Sequence, residues 1–250
     1  MPALEKDHPL PPETLPSPAP SPAAAPRRQP RQVVTEALLA FVGVTVAVSG
    51  LYRLRSVGFV DRNLAVVAAV LFLYVPAMLL WRQRLDLEQY GLRLVPLRRG
   101  LLVWLVTAAV VLPLFAVGYY LYMRKLCPHL PRRLVWCPPP LPVTLRWPPQ
   151  PLLTVISQLI VVALPEEFFF RGFIQGRLRE VFSGGTALLG TAALFALGHF
   201  LVTFEPAALA VFFPGLLFGL MRAATGSILA GTLFHASCNL LIDVLHRSIG

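Results

Sequence analysis

The sequence predicts an all-α, polytopic membrane helix bundle with about seven transmembrane helices and a disordered Pro-rich N-terminal tail. Three observations carry this reading. Hydrophobic residues make up 56% of the chain and charged residues 14%, where soluble domains carry about 25% charged residues; the mean hydropathy is +0.67. The apolar residues gather into runs close to the roughly 20 residues that a helix needs to cross a hydrocarbon core. The net charge of +10 is spread between those runs, as topology signals and anionic headgroups require. Nucleic acid, which takes one basic patch, is therefore not an expected partner; membrane lipid is.

Residues 1–32 are rich in Pro and Ala and close with Arg27, Arg28 and Arg31. Such a composition cannot bury a core, which predicts a disordered basic tail. It is too long and too Pro-rich for a secretory n-region, so the first apolar run reads as an uncleaved anchor. Residues 33–150 are expected to hold the N-terminal transmembrane helices and a Pro-rich loop with Cys127 and Cys137, and residues 151–250 the functional core. The runs are Val34–Tyr52, Leu64–Trp81, Leu101–Tyr122, Leu152–Phe173, Ala187–Phe204, Ala207–Met221 and Ile228–Leu245. The sixth is short and is divided from the fifth only by Glu205-Pro206, which leaves open six helices and one re-entrant segment. Arg82–Gly100 alternates charged and aliphatic residues and suits an interfacial amphipathic helix or a turn.

With the N-terminus inside, thirteen of the 22 Lys and Arg residues fall on inner segments and nine on outer ones. That bias puts the Cys127/Cys137 loop outside, where a disulfide can persist. The two cysteines and His129 lack the CxxC spacing of a zinc site. Cys238 lies in an apolar run and reads as a packing residue.

Polar residues interrupt the last four runs at regular places. Pro165-Glu166-Glu167-Phe168-Phe169-Phe170-Arg171 sets two carboxylates and an arginine in a membrane segment, where one carboxylate alone costs about 2.5–3.5 kcal/mol on insertion scales. Glu167 and Arg171 share a helix face at i, i+4, and Glu166 is turned from Glu167 by about 100°. Pro165 removes a backbone donor just before the pair. Phe195 and His199 form an i, i+4 pair in the fifth run, and His235 and Asn239 another in the seventh. Brought together, they supply a general base, two imidazoles and an amide donor, a set able to activate water and stabilise an oxyanion. Taken singly, each has a structural reading: Glu167–Arg171 as an ion pair, His199 as an interior histidine, His235 and Asn239 as interhelical hydrogen-bond donors. Gly215 and Gly219 form a GxxxG packing face, and Phe168-Phe169-Phe170 reads as lipid- or core-facing bulk.

Glu166-Glu167-x-x-x-Arg171, Phe195-x-x-x-His199 and His235-x-x-x-Asn239 resemble, in order and spacing, the three motifs of the CPBP family. That family comprises the CAAX prenyl endopeptidases and the bacteriocin-processing or immunity-associated membrane proteins, also called the Abi family. The resemblance covers about Leu152–Leu245, and Glu88-Gln89-Tyr90-Gly91-Leu92-Arg93 is similar to the family's pre-core segment. It implies an intramembrane endopeptidase in which Glu166, assisted by His199, activates water. His235 and Asn239 would then stabilise the oxyanion, and Glu167 with Arg171 would orient the site. No HExxH helix is present, and a metal-free mechanism with no cofactor is favoured because no feature dedicates these groups as ligands; zinc held by Glu166, His199 and His235 stays possible once the helices pack.

The expected substrate is a membrane-associated or secreted protein or peptide, matured by cleavage or relieved of a C-terminal sorting tag. Arg in excess of Lys, with abundant Ala and Pro, points to a GC-rich bacterial source and to a bacterial inner membrane. Two other classes fit the same residues: a cation transporter with a midplane site, which would show interrupted helix pairs in both halves, and a catalytically silent scaffold or immunity protein. The sequence does not define an oligomeric state.

Overall fold

Proline, serine and glycine set where the apolar runs begin and end as helices. A computed structural model describes residues 29–93, 97–129 and 144–249; most of the N-terminal tail and Cys137 lie outside them. Among the described residues there are seven helices: α1 (Pro30–Arg53), α2 (Gly58–Arg82), α3 (Leu97–His129), α4 (Pro151–Arg179), α5 (Gly184–Thr203), α6 (Pro206–Thr225) and α7 (Leu229–Ile249). The first six are long and apolar enough to cross a membrane. The seventh carries His235, Asn239 and Asp243 and packs on α3, α4 and α6.

Pro30 opens α1, where its missing N–H would have had no intrahelical partner, so the helix begins a few residues before the expected Val34. The Ser183 hydroxyl accepts from the Thr186 N–H at 3.3 Å and caps α5. α5 stops at Phe204, in the left-handed region at φ +57°, just before Pro206. Pro206–Val211 is a 3-10 turn that leads directly into the rest of α6, so the sixth run is helical throughout. Gly226, at φ +71°, ends α6.

α4 is the axis of the bundle. All seven residues from Phe168 to Ile174 are buried, including the Phe168-Phe169-Phe170 run, which faces the core. α1, α2, α5, α6 and α7 all contact α4. α3 packs on α7 and α6 and turns Leu105, Val106, Val110 and Leu114 outward, as a lipid-facing helix does. Two stretches of α4, Ser157–Ala163 and Phe168–Ile174, follow the wider π-helical register. The first ends just before Pro165, which lacks the N–H for a regular α-helical bond to the preceding turn. α4 also runs past the expected Phe173 to Arg179, because two of its arginines are paired inside the protein.

Glycine strips let polar groups dock on backbone. Arg171 Nη2 donates to the Gly215 carbonyl at 3.1 Å, and one turn on Gln175 Nε2 donates to the Gly219 carbonyl at 3.2 Å. The GxxxG face of α6 is thus a landing strip for side chains of α4; a Cβ on Gly219 would stand 2.3 Å from Leu188 Cδ1. On the opposite partner, α4 offers Gly172 and Gly176 to Tyr90. A Cβ on Gly172 would lie 2.7 Å from the Tyr90 carbonyl oxygen, and one on Gly176 2.7 Å from its ring.

Tyr90 belongs to the turn that follows α2, where the sequence left a choice between amphipathic helix and turn. Gly91 takes φ +92° there, and its carbonyl accepts from the Ile228 N–H at 3.1 Å. Arg222 Nη2 donates to the Gln89 carbonyl at 2.8 Å and the Ser227 hydroxyl to the Arg93 carbonyl at 2.6 Å. The turn is therefore pinned to the α6–α7 connection. Its other anchor is Arg177, 1% exposed, which meets Glu36 at 3.2 Å, Glu180 at 2.9 Å and Gln83 at 3.1 Å. The Tyr90 hydroxyl donates to Glu180. Burial, and then this carboxylate, push the Tyr90 phenol up to about 12.

Cys127 is disulfide-bonded, which removes it as a thiolate ligand for zinc. Cys238 is a free, partly buried thiol packed against the core.

Two outcomes are expected. Gly172→Ala forces its methyl against a backbone oxygen and costs about 1–3 kcal/mol, a fall of several degrees in Tm; Gly118→Ala on α3, with nothing within 4 Å, leaves Tm unchanged or slightly higher. The raised Tyr90 phenol keeps its proton in the folded state after the unfolded chain has lost it, so its contribution is complete below pH 10 and fades as pH climbs towards about 12. Denaturation midpoints of wild type and Tyr90→Phe across that window test it: the variant's alkaline slope is the shallower.

Candidate active site

Glu166 and Glu167 leave α4 in different directions and acquire different surroundings. Glu167 is fully buried and makes a 3.0 Å ion pair with Arg171, also fully shielded. The same oxygen, Oε1, accepts from His235 Nδ1 at 3.0 Å. Arg171 is held further by the Gly215 carbonyl and by the faces of Phe195 and Phe218, whose ring centres lie 4.1 and 4.8 Å from its guanidinium carbon. In an apolar interior such quadrupole contacts are worth about 2 kcal/mol. Gly231 of α7 makes room for the carboxylate, since a Cβ there would sit 3.0 Å from Glu167 Oε2.

Glu166 faces the two histidines. Its Oε2 lies 3.8 Å from His199 Nε2 and 4.0 Å from His235 Nε2 and has no hydrogen-bond partner among the described residues. Both rings are oriented from behind. His199 Nδ1 donates to the Phe195 carbonyl at 2.9 Å, and His235 Nδ1 is engaged by Glu167. His235 also stacks on Phe218, with 4.8 Å between ring centres and 12° between planes. In each case the second nitrogen, Nε2, is turned towards Glu166. The two separations exceed a direct hydrogen bond and suit a single bridging water.

A cavity of about 140 Å³ reaches Glu166 and His199 from the side, between Thr45 and Val48 of α1 and Ala68 and Phe72 of α2. Its walls are apolar and its floor is polar, the composition expected of a ligand site.

Five of the six residues expected from sequence thus meet: Glu166, Glu167, Arg171, His199 and His235. The sixth, Asn239, is one turn beyond His235, and its Nδ2 donates to Gln158 Oε1 at 3.0 Å. Gln158 escaped the sequence reading; its signal was a lone amide in an aliphatic run. Phe195 was noted only for its spacing to His199, but its ring touches Arg171, His199 and His235.

Zinc fits this set poorly. Ligand atoms of a tetrahedral zinc with bonds near 2.0–2.1 Å stand about 3.3 Å apart, closer than the 3.8 and 4.0 Å found here. Among the described residues no group of three or more His, Cys, Asp or Glu side chains is arranged to hold a metal ion.

No curated protein and no solved structure matches the chain. A family model does: residues 148–241 match that of the Rce1-like type II CAAX prenyl endopeptidases. The match takes in Gln158, both carboxylates, both histidines and Asn239, so this segment is similar to the CAAX protease family, within a chain that has six helices long and apolar enough to cross a membrane among the described residues.

Proposed function

We propose that the protein is a glutamate-type intramembrane endopeptidase that hydrolyses a peptide bond of a membrane-associated or secreted protein or peptide, in a bacterial cell membrane. The observation that carries this is the convergence of two backed imidazoles on the unpartnered Glu166 oxygen. A water between Glu166 and His199 loses a proton to the Glu166 carboxylate as its oxygen attacks the scissile carbonyl carbon. The carbonyl oxygen becomes an oxyanion. His235, held by Glu167 through Nδ1, turns its Nε2 edge to that charge, and Asn239 has a second amide N–H beyond the one bonded to Gln158. When the C–N bond breaks, Glu166 returns the proton to the leaving amine. Glu167 and Arg171 act by positioning His235. The apolar walls beside Glu166 suit a substrate that arrives within the membrane, either as a peptide to be matured or as a C-terminal sorting tag to be removed.

The two neighbouring carboxylates should respond differently to the same change. Glu166→Gln is expected to lower turnover by about 10²–10⁴-fold and leave Tm near wild type, since Glu166 makes no direct hydrogen bond through Oε2. Glu167→Gln leaves a buried guanidinium unpaired and is expected to cost about 3–5 kcal/mol of stability as well as activity. Mass spectrometry of membrane and secreted peptides from cells with wild type or Glu166→Gln reads the first effect. A precursor that persists only in the mutant gives the cut site; identical peptide pools at equal expression would end the protease reading. His199→Ala is expected to lose turnover comparably at wild-type Tm, because the ring is about a third exposed and bonds only its own helix.

A further inference from the structure

At the end of the bundle where α1 begins and α4 and α6 end, a polar pocket of about 340 Å³ is lined by Gln89, Arg171, Gln175, Arg179, Glu180 and Arg222. Its charges do not balance locally. Glu180 is the one acid in the lining, and its two oxygens accept from Arg177 at 2.9 Å, with Tyr90 on one of them. Arg171 is committed to Glu167. Among the described residues neither Arg179 nor Arg222 has a carboxylate within ion-pair distance, and the charges that act on Arg222 are two further arginines, Arg93 and Arg179.

Arg222 is 8% exposed; it spends Nη2 on the Gln89 carbonyl and leaves Nε buried without a partner. Gln175, 1% exposed, spends Nε2 on Gly219 and leaves Oε1 equally alone. A buried guanidinium on Arg222, an exposed one on Arg179 and one buried free acceptor therefore share a pocket, and for the buried groups an unmet bond is costly.

An anion with a hydroxyl satisfies all three. Guanidinium forks match phosphate oxygens, and the amide oxygen of Gln175 can accept from an O–H on the same group. The pocket lies among helix ends, at the level where headgroups meet a membrane protein. We propose that it is a phosphate-binding site filled by an anionic phospholipid headgroup. Arg179 and Arg222 hold the phosphate, and Gln175 Oε1 accepts from a headgroup hydroxyl. The pocket shares Arg171 with the buried ion pair, but Arg179 and Arg222, which hold the phosphate, take no part in the proposed chemistry.

Thermal unfolding of the purified full chain in neutral detergent tests this. Short-chain phosphatidylglycerol at about 100 times its Kd is expected to raise Tm by roughly 5 °C, while phosphatidylcholine has little effect. Arg179→Gln and Arg222→Gln lose most of the rise. Arg179 is exposed, so its variant folds even where Arg222→Gln does not. Equal shifts from the two lipids, or an undiminished shift in Arg179→Gln, would overturn the proposal. Inorganic phosphate that reproduces the whole shift would replace the lipid by a soluble phosphate and overturn that part of it.

Discussion

Glu167 and Arg171 form an ion pair closed off from solvent inside an apolar bundle, and much of the surrounding architecture follows from keeping it satisfied. Removing one partner from such a pair costs about 3–5 kcal/mol, and most of the surroundings serve to hold it, although Glu167 Oε2 and Arg171 Nε have no hydrogen-bond partner among the described residues. Gly215 supplies a carbonyl, Phe195 and Phe218 supply ring faces, Gly231 supplies space and His235 supplies a second donor. These residues come from α5, α6 and α7, so one buried pair draws three helices onto α4. His235 is fixed in the process, and with it the nitrogen that faces Glu166. The way His235 faces Glu166 is a by-product of solving an electrostatic problem.

α4 meets that requirement by leaving the regular helical register. π-helical turns flank the carboxylates on both sides, and such turns gather at functional sites because they re-aim side chains without breaking the helix. Pro165 stands where the first of them gives way. The missing donor that would weaken an ordinary helix falls where the regular bond is already displaced. Gln158, eight residues before Glu166, can then reach Asn239 of α7.

Much of this was legible in the sequence because it is local. Spacing of four residues brought Glu167 to Arg171 and Phe195 to His199, and hydropathy located each described helix, with ends that differ by up to seven residues. Contacts between distant segments have no such signature. Arg177 with Glu36, Tyr90 with Glu180, and Asn239 with Gln158 are joined only by the fold. The glycines at 172 and 176 read as unremarkable until Tyr90 is placed against them. The π register depends on which carbonyl each amide chooses, and composition does not encode that choice. α4 ran longer than its apolar run because buried partners cancel charges that hydropathy counts as penalties.

The glycine strips carry a consequence for how the molecule lives in lipid. Acyl chains are as apolar as leucine, so membrane helices gain little from apolar contact alone and can trade a neighbouring side chain for a lipid tail. A guanidinium or an amide seated on a backbone carbonyl has no such substitute. The seam between α4 and α6, and the one that holds the turn around Tyr90, are thus fastened by bonds that acyl chains cannot imitate. α3, with most of its surface turned outward, is bound by the weaker rule. Solubilisation therefore acts on the two regions unequally: the rim exchanges its surroundings freely, while the hub keeps the geometry it had in the bilayer.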